Sequence, residues 1–149
     1  MADPYKLQRF LDAQADVYDD VRAELRAGRK TSHWMWFIFP QMKGLGRSST
    51  AQYFAIASLD EARAYLAHPT LGVCLRECTG LVNQIENRSA EQIFGSPDDL
   101  KFRSSMTLFL RASEPSSGDH ELFSATLQKY FNSQPDPLTL SLLESQERT

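Results

Sequence analysis

Apolar positions along this chain recur every three or four residues, the spacing that gathers them on one face of a helix. From about Tyr5 to Gly28, the residues Phe10, Ala13, Val17, Val21 and Leu25 keep that spacing, with charged residues between them. The pattern predicts one amphipathic helix, closed by Gly28 in the left-handed conformation that helix ends favour. Next comes Trp34–Phe39, an unbroken apolar run. Its aromatics and Ile38 favour a strand by propensity. No later segment alternates with period two, however, so a strand would have no partner. The run therefore reads as a short buried helix, capped by Thr31 or Ser32 and ended by Pro40.

Turn and cap signals divide the rest. Gly44-Leu45-Gly46-Arg47-Ser48-Ser49 is a turn, and Ser48 or Ser49 caps a segment reaching Ala57. Ser58 and Glu61 have capping-box spacing before a helix over Leu59–Ala67, which stops at His68-Pro69. Leu71, Cys74, Leu75, Cys78, Leu81, Val82 and Ile85 form the best apolar stripe, on a helix opened by Thr70. Ser89 with Gln92 marks a single turn ending at Gly95. Ser96-Pro97-Asp98-Asp99 reads as a helix start, with Ser96 as cap and Pro97 first, running to about Ala112. After the loop Glu114–Asp119, the residues Leu122, Phe123, Leu127, Tyr130 and Phe131 mark another helix. Asp136-Pro137 opens a last short one, and the tail Glu144–Thr149 is expected to fray. About seven helical segments with short connections predict an all-α fold, a compact irregular bundle in a single domain over 1–149.

Composition narrows the classes. The chain has 149 residues, 42% hydrophobic and 23% charged, ordinary values for a soluble domain. A net charge of −3 gives no global field for nucleic acid. No apolar run approaches the roughly 20 residues of a membrane-spanning helix. The charged N-terminus does not resemble a signal peptide, so a cytoplasmic location is expected. Cys74 and Cys78 belong to the apolar stripe and read as thiol fillers of the core. Scattered histidines give no metal spacing, and no cofactor is expected.

Two polar tracts carry candidate chemistry. In Lys43-Gly44-Leu45-Gly46-Arg47-Ser48 the glycines allow close approach to backbone amides, and Lys43, Arg47 and Ser48 add charge and donors. Such a turn before a helix suits a phosphate or carboxylate. It has neither the spacing nor the preceding strand of a dinucleotide or P-loop motif, and it also reads as an ordinary turn. In Lys101-Phe102-Arg103-Ser104-Ser105-Met106-Thr107 three hydroxyls crowd one stretch of helix, at a cost in propensity. Close helix packing or a polar pocket would account for them. His33 fits a contact or proton-transfer role as well as a structural one. Trp34 and Trp36 suit stacking on a nucleobase, or the core.

Ser32-His33-Trp34-Met35-Trp36-Phe37-Ile38-Phe39-Pro40-Gln41, followed by Gly44-Leu45-Gly46-Arg47-Ser48, closely resembles the signature of the family known as domain of unknown function 1810. The likeness continues through Tyr53-Phe54-Ala55-Ile56, Glu61–Pro69, Leu71-Gly72, Ile93–Lys101, Ser104–Phe109 and Tyr130-Phe131, in order along nearly the whole chain. The resemblance implies a small, mainly helical, soluble protein, most often bacterial, and no settled activity. That family is distantly similar to the NADAR group, which is linked to ADP-ribose and NAD derivatives.

Together these features lead to one expectation about function. The two tracts converge on a pocket floored by Trp34 and Trp36 that binds a small phosphorylated or nucleotide-like metabolite. Lys43, Gly44, Gly46, Arg47, Ser48, Ser104, Ser105 and Thr107 would contact it. His33, Asp99 and Lys101 would be acid and base if an N-glycosidic bond is hydrolysed. The alternatives are a sensor without turnover, and an interaction module that docks a partner on an exposed Trp34–Phe39.

Overall fold

A computed structural model describes residues 3–147, so Met1, Ala2, Arg148 and Thr149 lie outside the described residues. Helices arise where the apolar spacing places them. They are α1 (Gln8–Ala15), α2 (Tyr18–Arg26), α3 (Met35–Ile38), α4 (Ser49–Tyr53), α5 (Leu59–Ala67), α6 (Leu71–Gln84), α7 (Ala90–Phe94), α8 (Asp98–Ala112), α9 (Gly118–Phe131) and α10 (Pro137–Glu147). The described residues thus form ten helices rather than about seven.

The first predicted helix is two. Val17 leaves helical geometry at φ −122°, and the chain turns so that α1 packs on α3 while α2 packs on α6. One straight rod could not reach both. Gln14 pins the junction: its buried amide donates to Phe37 O at 2.7 Å and to Tyr65 Oη at 3.2 Å. The tail expected to fray from Glu144 is instead helical through Glu147, and Arg148 and Thr149 lie outside the described residues.

Capping follows the sequence in part. Ser48, Ser58 and Ser89 accept from backbone amides three residues on, Ser89 with Gln92 forms the full reciprocal box, and Ser117, expected only in a loop, caps α9 in the same way. Glu61, by contrast, does not return to Ser58. Its carboxylate accepts from Ala57 N and from Arg9. Neither Thr31 nor Ser32 caps α3, which begins after Trp34 without a side-chain cap. Both residues turn instead to Glu24, donating their backbone N–H groups at 2.7 and 2.9 Å. Ser96 does not cap α8 either. The first amides there donate to the carbonyls of Gly95 and Pro97.

At the centre lies α8, packed against α5, α7, α9 and α10. Phe102 is fully buried and stacks edge-on to Phe39 at 4.8 Å and tilted on Phe94 at 4.5 Å. Phe109 meets Tyr65, whose ring is edge-on to Phe10. The aromatic run before Pro40 is therefore the hub of the core: Trp34, Met35, Phe37, Ile38 and Phe39 are all buried. Cys78 is buried and Cys74 partly so, both as free thiols. Among the described residues no helix is long and apolar enough to cross a membrane.

Candidate functional site

A single parallel bridge fixes the glycine turn. Ile56 N donates to Gln41 O at 2.9 Å and Lys43 N donates to Ile56 O at 2.8 Å, pairing Met42 with Ile56. The turn after it lies close against α4. A Cβ on Gly46 would sit 2.5 Å from that of Ala51, so only glycine fits without moving the helix. This geometry carries Gln41, Leu45 and Gly46 onto one wall of an open groove of about 440 Å³. The opposite wall is Leu100, Lys101, Arg103 and Ser104 of α8, and Asp136 and Leu138 close one end. That volume is in the usual range of small-molecule sites.

The two polar tracts therefore meet, through Gly46 on one side and Lys101 with Ser104 on the other. The meeting is narrower than the sequence suggested. Lys43 lines a different groove, of about 580 Å³, with Tyr5, Lys6, Arg9, Tyr53 and Glu61. Gly44, at φ +105°, faces Leu142. Arg47 and Ser48 are exposed and serve α4: Arg47 O accepts from Gln52, and Ser48 Oγ accepts from Ala51 N.

The tryptophans divide. Trp34 is 1% exposed and donates its indole N–H to Glu24, so it belongs to the core and floors no pocket. Trp36 is half-buried, with the Lys101 ammonium 5.2 Å from its ring centre. It lines a void of about 10 Å³, room for about one water, which shares Gln41 and Lys101 with the groove. The rest of Trp34–Phe39 is buried, so the run offers no docking surface.

Charge at the groove is organised by Asp98. Its Oδ2 lies 2.9 Å from Lys30 Nζ and its Oδ1 3.4 Å from Lys101 Nζ. Lys30 in turn sits over the Trp34 ring. The pair with Lys101 is long, and Lys101 donates no other hydrogen bond among the described residues, so its ammonium keeps donors to spare.

The hydroxyl-rich stretch of α8 has a structural task. Ser104 Oγ lies 2.9 Å from Asp136 Oδ2, and Thr107 Oγ1 accepts from Asp136 N at 2.8 Å while donating to Arg103 O. The Arg103 guanidinium donates to Gln134 O and Pro135 O, both at 2.8 Å. These bonds clamp the connection between α9 and α10 onto α8. Ser105 is fully buried, its hydroxyl without a partner among the described residues, and it lines neither of these two grooves. Of the proposed acid–base set only Lys101 lines the groove. His33 is exposed elsewhere, and Asp99 has one carboxylate oxygen enclosed without a donor. Sequence reasoning missed Gln41, Leu100, Asp136 and Leu138. Asp136-Pro137 was visible only as a helix start, since nothing local says which wall that start joins.

Comparison with known proteins bears on the fold and the family. The crystal structure of the conserved hypothetical protein Rv1873 from Mycobacterium tuberculosis matches with a TM-score of 0.91 at 56% sequence identity, covering 95% of this chain and 99% of that one. No curated protein matches the chain. The likeness to the NADAR group receives no support from these matches. The sequence profile of the DUF1810 family, described only as a protein of unknown function, matches residues 4–143, and the chain belongs to that family.

Proposed function

We propose that the groove between the Gln41–Gly46 turn and α8 binds a small phosphorylated or nucleotide-like metabolite. The observation that carries this reading is that Gly46 and Lys101, from tracts far apart in sequence, line the same groove. Lys101 would hold the anionic group. The Gln41 side-chain amide also lines the groove and makes no hydrogen bond among the described residues, so it is available to a ligand. Leu100 and Leu138 are 55% and 65% exposed at the same place and offer apolar surface to a flat ring.

The larger groove around Lys43 supports the reading less. Its partly buried cation, Arg9, is spent on Glu61 and on the carbonyls of Tyr5, Lys6, Tyr53 and Ala55. Binding has more support than hydrolysis, because His33, Asp99 and Lys101 do not share the groove. Thermal unfolding with AMP, ADP-ribose and NAD tests binding. A ligand at 100 times its Kd should add about 2.7 kcal/mol. Lys101→Ala should weaken that binding by about tenfold, the worth of one charged hydrogen bond. No shift with any of the three at millimolar concentration would refute the reading. Chromatography of the bound nucleotide then tells turnover from sensing.

A further inference from the structure

Asp136 stands at the end of the groove in an unusual state of preparation. One of its oxygens, Oδ2, takes three contacts: Ser104 Oγ at 2.9 Å, Thr139 N at 3.2 Å and Thr139 Oγ1 at 2.6 Å. Its backbone N–H is held by Thr107, and its two preceding carbonyls are held by Arg103. The carboxylate therefore has one orientation. The other oxygen, Oδ1, accepts no hydrogen bond among the described residues, and it is not among their enclosed, unpartnered atoms. It is a fixed anionic acceptor on a ligand-sized groove whose charged side chains are otherwise cationic, Lys101 and Arg103.

We infer that Asp136 selects the ligand of this groove by accepting a hydrogen bond from a hydroxyl on the same sugar that carries the anionic group. The inference rests on the binding reading above and names the class more closely: a hydroxyl-bearing phosphate, such as a sugar phosphate. An ammonium donor fits less well, because Lys101 and Arg103 line the same groove and would repel it. A metal cation fits less well still. Asp136 is the one carboxylate among the lining residues, the nearby Asp98 being paired with Lys30 and Lys101, and hard cations need several oxygen ligands.

The comparison of AMP with 2′,3′-dideoxy-AMP tests this, since the two share charge and base and differ only in hydroxyl donors. Calorimetry on the full chain should show AMP binding at least about tenfold tighter, the usual worth of a charge-assisted hydrogen bond. Asp136→Asn keeps an oxygen for Thr139 and Ser104, and asparagine caps helices as well as aspartate. It turns an NH₂ toward the groove, which can meet a ligand hydroxyl only as a neutral donor, so the preference for AMP should shrink with the loss of charge assistance while dideoxy-AMP still binds. Equal binding of the two nucleotides by the unmodified protein overturns the inference and leaves the binding reading standing. Loss of both nucleotides overturns the two together. A preference of the same size in Asp136→Asn also overturns it. Should that variant fail to fold, the nucleotide comparison on the unmodified chain still decides.

Discussion

Glu24 accepts from Thr31 N, Ser32 N, Ser32 Oγ and Trp34 Nε1, and so ties the segment before α3 to α2. Burial alone would raise its carboxyl, but these four donors outweigh it and hold it at about 2, below the ordinary 4.5. The stabilisation from the ionised group is therefore present above the ordinary value and is lost as pH falls toward 2. Acid unfolding should show a loss of stability across that interval that is smaller in Glu24→Gln, and the variant should cost about 1–2 kcal/mol at neutral pH. Cys78 behaves oppositely: burial pushes its thiol up to about 12, against the pull of a Tyr18 hydrogen bond. With so little thiolate, Cys78 should resist a thiol reagent at pH 8 until denaturant is added. Rapid labelling of both cysteines in the folded protein would contradict this. The residues were partly legible. Cys78 in an apolar stripe could be read as core, whereas the role of Glu24 depends on a turn whose path no local pattern gives. Trp34 and Trp36 show the same limit: two alike residues, two apart, are separated into core and rim only by the angle at which α3 enters.

At the level of elements, the apolar period found almost every helix, and the expected serine caps found the starts of α4, α5 and α7. What it could not find was where one period conceals two rods, as at Val17, or where an expected cap is drawn elsewhere. Ser32 illustrates the second case, since Glu24 offers it a charged acceptor that competes with capping α3. Helix contacts are equally hidden. Gly72 lies in α6 where a Cβ would come within 2.1 Å of Leu66 O. That carbonyl also accepts from Arg76, which pairs with Asp119 through two bonds of 2.6 and 3.0 Å. Gly72→Ala should thus force α5 and α6 apart and cost roughly 3 kcal/mol, seen as a lowered midpoint in urea. Ser89→Ala should cost about 1 kcal/mol through its capping box. If Gly72→Ala were as mild as Ser89→Ala, the close approach of the two helices would be wrong.

For the whole molecule, the chain folds so that its aromatic run becomes the hub while the glycine turn behind it is delivered to α8. Length, balanced charge and the absence of alternation made the all-helical bundle legible. The meeting of the turn with α8 was an expectation that geometry narrowed: Gly46, Lys101 and Ser104 share a groove, while Lys43 and Arg47 turn away. The groove's end wall comes from the α9–α10 connection, whose hold on α8 depends on Ser104, Thr107 and Arg103 together. No single stretch of sequence reports a contact between two segments about thirty residues apart. The most direct measurement is a titration of AMP into isotopically labelled protein, following backbone amide resonances. The account predicts that the perturbed amides cluster at Gly46, Leu100, Lys101, Ser104 and Leu138. Perturbations gathered instead at Lys6, Lys43 and Tyr53, or none at millimolar AMP, would contradict it.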